Sequence, residues 1–158
     1  MSETTAPFRL SPLTVEQAQA VCTWQYPPPY DCYDMTGSDP EGLVAVGAYG
    51  LLRDGELVGF RTFGADGQVP GWDYDDSALD TGGGLRPDLT GQGLGRAAIS
   101  AGLALGRELF APPAFRVTVA SFNARALKTL ESLGFARVGR FDAARGGRSF
   151  EVLVRPAG

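Results

Sequence analysis

The strongest constraint on the fold lies in residues 85–98, Leu85-Arg86-Pro87-Asp88-Leu89-Thr90-Gly91-Gln92-Gly93-Leu94-Gly95-Arg96-Ala97-Ala98. An apolar, glycine-containing run over residues 77–85 stops at Pro87. A glycine-dense turn follows, and an alanine-rich helix is predicted from about Gln92 to Phe110, ahead of Pro112 and Pro113. Glycines at 91, 93 and 95 remove side chains where backbone N–H groups turn together toward one point. That point is also the positive end of a helix dipole, so the segment is suited to hold phosphate.

Several chemistries use such a turn, and neighbouring residues separate them. A P-loop requires Gly-x-x-x-x-Gly-Lys-Ser/Thr, and no lysine lies near. Gly93-x-Gly95-x-x-Ala98 fits the dinucleotide fingerprint, which also demands an acidic residue about 20 positions on. There the chain reads Arg116-Val117-Thr118-Val119-Ala120, without a carboxylate. The chain after the turn is also too short for the second half of a doubly wound sheet. A plain helix start with glycines for tight packing is the non-functional alternative.

A third reading draws on a second segment. Thr90-Gly91-Gln92-Gly93-Leu94-Gly95 resembles the Gln/Arg-x-x-Gly-x-Gly/Ala signature of the GNAT acetyltransferase superfamily. Asn123-Ala124-Arg125-Ala126-Leu127-Lys128-Thr129-Leu130-Glu131-Ser132-Leu133-Gly134-Phe135 is similar to that superfamily's Asn-x-x-Ala-x-x-x-Tyr-Glu-x-x-Gly-Phe. Together the two cover residues 77–141. Two departures stand out: Thr90 replaces the long polar side chain at the first position, and Leu130 replaces the tyrosine that protonates the leaving thiolate.

The resemblance implies an α/β fold, a single GNAT domain over residues 1–158 with 1–6 as a flexible tail. It has a mixed twisted sheet of about six to seven strands with a splayed central parallel pair and helices on both faces. It implies an acetyl-coenzyme A-dependent N-acetyltransferase acting on the primary amine of a small molecule or protein. The alternative is a non-catalytic acyl-coenzyme A-binding sensor of the same fold. Leu85 and Arg86 lie where relatives grip pantetheine through main-chain groups. Gly91, Gln92, Gly93, Leu94, Gly95 and Arg96 lie where they hold the pyrophosphate, and Asn123 where they contact the cofactor arm. Asn123 reads equally as a helix N-cap.

The early helix–loop–helix region forms an acceptor wall in such proteins, making Trp24, Tyr26, Tyr30 and Tyr33 substrate candidates. Packing over the core edge is their alternative. Asp76, in the acidic loop before the central strand, is a further candidate for drawing in an amine. Asp80 is the only carboxylate inside that strand and the candidate base. A buried aspartate there would have a raised pKa, and its alternative is a structural role accepting backbone hydrogen bonds. Relatives also place a glutamate on the following strand, where Thr118 stands here.

Bulk properties exclude other classes. The sequence has 158 residues with 44% hydrophobic and 20% charged, ordinary for one globular domain. It contains no histidine, which removes serine–histidine and cysteine–histidine hydrolase schemes. A net charge of −4 without a basic, aromatic-interleaved patch argues against a nucleic-acid partner. Cys22 and Cys32 lack metal-ligand spacing, so no metal is expected. No apolar run of about 20 residues predicts a membrane span, and the polar start has no signal-peptide character. The expectation is a cytoplasmic monomer or homodimer.

Along the chain, Phe8-Arg9-Leu10 reads as a strand and Thr14 with Gln17 as a capping box. The Tyr26-Pro27-Pro28-Pro29-Tyr30 stretch ends that helix, and residues 31–36 add one helical turn. Residues 43–52 and 57–63 read as a hairpin around Asp54-Gly55. Gly82-Gly83-Gly84 in the central strand suggests a bulge or close approach by a ligand's backbone-facing arm. The long helix is expected to face the sheet through Leu94, Ala98, Ala101, Leu105 and Leu109. A strand at 115–120, a helix at 124–133 and a hairpin of 135–141 with 149–154 complete the order.

Overall fold

The structure, a computed structural model, describes residues 8–158. The tail expected at residues 1–6 lies outside the described residues. Among the described residues, seven strands and four α-helices form an α/β fold whose mixed sheet has the order β1-β2-β3-β4-β5-β7-β6. Its parallel pair is β4–β5. The chain divides into two compact units, the first holding residues up to Thr62 with Gly83–Gly102, the second Phe63–Gly82 with Leu103–Gly158.

In the first unit, β1 (Arg9–Pro12) runs antiparallel to β2 (Tyr49–Arg53), from Arg9↔Leu52 to Pro12↔Tyr49. Helix α1 (Val15–Val21) starts at the expected capping box. There Gln17 N donates to Thr14 Oγ1 at 3.1 Å and Thr14 N to Gln17 Oε1 at 3.0 Å. Tyr30–Tyr33 form one 3₁₀ turn. Residues 43–45, expected as strand, instead lie in helix α2 (Pro40–Ala45). Asp39 caps this helix, accepting from Glu41 N, and Pro40 occupies its first turn. Leu43 is drawn in with Leu13, Ala18, Val21 and Ala48 as one buried cluster, so tertiary burial outweighs β propensity. Strand β2 turns at Asp54 and Gly55, both at positive φ, into β3 (Glu56–Phe63). A second cluster packs Leu51, Val58, Leu89 and Ala98 together.

In the second unit, the opening residues of β4 (Leu79–Leu85) form a parallel ladder to β5 (Ala114–Ala120). Its register is Leu79↔Phe115 and Asp80↔Arg116. Strand β5 is otherwise held by β7 (Ser149–Pro156), antiparallel from Ala114↔Pro156 to Ala120↔Phe150. Strand β6 (Ala136–Asp142) pairs with β7 as the expected hairpin. Between β5 and β6, helix α4 (Ala124–Ser132) starts at Asn123 and stops at Gly134, whose φ of +92° is a left-handed cap.

Helix α3 (Gly95–Phe110) keeps most of the expected face, with Ala98 buried and Leu94 and Ala101 packed against the same cluster. Leu109 is 45% exposed, and the buried positions are Ala98, Gly102, Leu103 and Gly106. A Cβ on Gly106 would stand 2.8 Å from Phe115 Cε1 and 2.9 Å from Phe63 Cε1. The helix approaches too closely at Gly106 for any side chain, while Leu103 fills the space beside it on the buried side.

Candidate active site

The last residues of β4 are shaped by β3. A Cβ on Gly83, whose φ is +151°, would collide with the Phe60 carbonyl, and one on Gly59 would lie 2.6 Å from Gly84 O. The glycine run therefore admits a neighbouring strand's backbone, where a bulge or a ligand's approach was expected. The peptide between Leu85 and Arg86 comes next. Its carbonyl accepts from the Tyr26 hydroxyl at 2.6 Å, and its N–H donates to Val58 O at 2.9 Å.

The Arg86 side chain is committed within the protein. Its Nε and Nη2 donate to Asp88 at 2.7 and 3.2 Å, its Nη1 donates to Leu57 O at 3.1 Å, and Glu56 lies at 3.4 Å. The hydrogen bond from Arg86 holds the Asp88 carboxyl below its usual range. Pro87–Leu89 make a 3₁₀ turn with Leu89 buried beneath. Thr90 Oγ1 donates back to Pro87 O at 2.8 Å, and Gln92 Nε2 to Asp88 O at 2.7 Å. These short ties shape the loop without occupying its crest.

That crest is Gly91, Gln92 and Gly93, all exposed, with φ of +75° at Gly91 and +80° at Gly93. Left-handed residues cannot continue a right-handed helix, so α3 starts at Gly95, three residues later than expected. The bond from Ala98 N to Leu94 O, 3.0 Å, opens the helical ladder. The amides ahead of it have no acceptor within the helix, and the dipole makes this a place for negative charge. Nothing lies within 4 Å of a Cβ placed on Gly93, so space is open in front of the crest. These residues fit a diphosphate.

The aromatic candidates divide. Trp24 is half-buried against the α1–α2 cluster, its ring 6.4 Å from Phe60. Tyr30 and Tyr33 sit on the 3₁₀ turn, Tyr33 exposed.

In the second unit, Asp80 is buried, and its Oδ1 and Oδ2 accept from Arg116 Nε and Nη2 at 2.7 and 2.8 Å. Gln68 Nε2 donates to Oδ2 at 2.9 Å. Its partners are thus side chains, where backbone donors were the expected structural alternative. Arg116 also reaches Asp75, whose carboxyl is held low by hydrogen bonds from Ser77 and then Arg116. Asp76 is exposed. Thr118 Oγ1 lies 2.9 Å from the Tyr74 hydroxyl, which also accepts from Val69 N at 2.9 Å. Asn123 Oδ1 caps α4 through Ala126 N at 3.1 Å, and Leu130 is buried in the core. The Arg116 pairing and the Tyr26 tie carry no local sequence signal.

The sequence matches the Acetyltransferase (GNAT) family over residues 12–135, well over half of the chain. The chain belongs to the GNAT acetyltransferase family. This GNAT protein is an acyltransferase that takes its acetyl group from acetyl-coenzyme A. No curated protein matches its sequence.

Solved structures show the same fold at low identity. One is a spermidine N-acetyltransferase SpeG chimera from Vibrio cholerae and hSSAT, with 13% identity, 95% of each chain covered and a TM-score of 0.75. Another is the aminoglycoside acetyltransferase AAC(6')-Ib in complex with coenzyme A, with 19% identity, 95% of each chain and a TM-score of 0.73. A third is YncA, a putative acetyltransferase from Salmonella typhimurium with acetyl-coenzyme A, with 16% identity, 98% of this chain, 95% of that one and a TM-score of 0.69. Among the described residues of the GNAT protein, no helix is long and apolar enough to cross a membrane. Nor does any group of three or more His, Cys, Asp or Glu among them suit a metal ion.

Proposed function

We propose that this acetyltransferase moves the acetyl group of acetyl-coenzyme A to the primary amine of a small, cationic molecule. One observation carries the choice of acceptor. Between Arg9 and Arg53 the chain holds the carboxylates Glu16, Asp31, Asp34, Asp39 and Glu41 and no lysine or arginine. This is the helix–loop–helix stretch that carries Trp24, Tyr30 and Tyr33, and its field attracts positive charge. The names of two structures sharing the fold point the same way, being those of spermidine and aminoglycoside acetyltransferases.

Acetyl-coenzyme A supplies an activated thioester when bound, and the chain's own task is chiefly positioning. Amides from Gly91 to Arg96 hold the diphosphate at the head of α3. Main-chain groups around Leu85 and Arg86 hold the arm, with Arg86 N–H already given to Val58. In the second unit Asn123 caps α4, and Asp76 is an exposed carboxylate of the kind that draws in an amine. Asp80 is assigned to support: both of its carboxylate oxygens are already engaged by Arg116, and Gln68 donates to one of them. The amine's proton then leaves to water, and with Leu130 in place of a tyrosine the thiolate released as the amide forms takes its proton from solvent.

Thiol release with a panel of amines tests the reading. Polyamines or aminoglycosides should turn over, with kcat/KM falling as salt rises. Tight coenzyme A binding with no turnover of any amine would sink the proposal and favour the acyl-coenzyme A sensor.

A further inference from the structure

We propose that Tyr26 is a positioning residue for acetyl-donor binding: by holding the Leu85 carbonyl it fixes the peptide from which the phosphate-binding loop springs. The inference rests on the reading of the Gly91–Gly93 crest as the donor site. The Leu85–Arg86 peptide is rigid and planar, so it moves by tipping about the bonds on either side. It is gripped at both edges, the carbonyl by Tyr26 at 2.6 Å and the N–H by Val58 O at 2.9 Å. With the Tyr26 bond removed, only one edge is held. A tilt there is passed to Pro87–Leu89 and on to the glycine crest.

The local structure is arranged around this one hydroxyl. A Cβ on Gly84 would lie 3.4 Å from the Tyr26 oxygen and 3.3 Å from Phe60 Cε1, so glycine leaves the phenol room beside the strand. Tyr26 is itself held, its N–H donating to Asp34 Oδ1 at 2.8 Å. Asp34 thereby closes the segment from Tyr26 to Asp34, which carries Tyr30 and Tyr33, and the Tyr26 hydroxyl joins that segment to β4. Burial, and then the nearby Asp34 carboxylate, push Tyr26 up to about 12, so it keeps the proton it donates throughout ordinary assay conditions.

The experiment is calorimetric titration with coenzyme A of wild type, Tyr26→Phe, Asp34→Ala and Gly93→Glu, with a thermal melt of each. Tyr26→Phe should bind coenzyme A about three- to tenfold more weakly, the scale of one lost neutral hydrogen bond. With any accepted amine, its KM for acetyl-coenzyme A should rise by a similar factor while kcat holds. Asp34→Ala should show a smaller loss in the same direction. Wild-type affinity in Tyr26→Phe, while Gly93→Glu has lost binding, overturns the role of Tyr26 and leaves the loop as donor site. Wild-type affinity in Gly93→Glu overturns the loop reading beneath it. If Tyr26→Phe does not fold, unchanged affinity in Asp34→Ala overturns the proposal. So does a lowered melting temperature in Tyr26→Phe without weaker binding, which would make the bond a structural tie only.

Discussion

The head of α3 and the Asp80–Arg116 pair both concentrate polar groups, and they leave opposite things for a ligand. At the head of α3 the shape comes from backbone angles at Gly91 and Gly93, and the crest is exposed. Around Asp80 the shape comes from side chains, and each oxygen of the buried carboxylate already accepts from Arg116. The first arrangement can receive charge because it is an exposed helix N-terminus. The second has spent its hydrogen-bonding capacity on itself. A buried, motif-adjacent carboxylate is therefore a weaker functional signal than an exposed, glycine-shaped turn.

The sharpest way to break this contrast is Gly93→Glu. A carboxylate about 4 Å from a phosphate charge costs about 4 kcal/mol at an effective dielectric near 20, so coenzyme A affinity should fall about a thousandfold. Open space around that Cβ and a strain of about 1–2 kcal/mol at positive φ leave the variant folded. Calorimetry with a thermal melt checks both, and binding near wild type would remove the crest from the donor site.

Next in size is the buried pair. Asp80→Ala should lower unfolding stability by about 3 kcal/mol in urea titration, since buried Arg116 keeps only the exposed Asp75 as its charged partner. Replacing both partners, Asp80→Leu with Arg116→Met, should recover most of that loss. Turnover retained by the double variant would assign Asp80 to support. Turnover abolished in a folded double variant would restore it as the base.

Gly106→Ala adds a methyl where Phe115 and Phe63 already press on α3. The expected cost is about 1–3 kcal/mol of stability, with coenzyme A affinity unchanged, measured by the same two methods. A loss of affinity would show that the crest depends on the far end of its helix.

The smallest effect decides to which side of the contrast Asn123 belongs. Asn123→Ala should cost about 1 kcal/mol through the lost cap of α4. An accompanying fall in coenzyme A affinity would place its side chain on the donor as well. Unchanged affinity would confine it to capping.

Much of the fold was legible because its signals are local. The Thr14–Gln17 box, the Asp54-Gly55 turn, the Gly134 stop and the paired β6–β7 hairpin each arise from a few adjacent residues. Where the reading failed, packing had intervened. Leu43 and Val44 suit a strand by propensity, but Asp39 and Pro40 start a helix there and the α1–α2 cluster buries Leu43. On α3 the expected face held at Leu94, Ala98 and Ala101 but not at exposed Leu109, and close approach added Gly102 and Gly106 to it.

The candidate site divides along the same line. By itself the sequence determined the glycine-shaped turn ahead of α3, because a backbone that must turn through positive φ requires glycine there. It determined the family for the same reason. Only the tertiary structure decided what the polar side chains do. Asp80 meets Arg116 across 36 residues of chain, and Tyr26 meets Leu85 across 59. Such bonds depend on how distant segments fold together, and the identities of neighbouring residues carry no record of them.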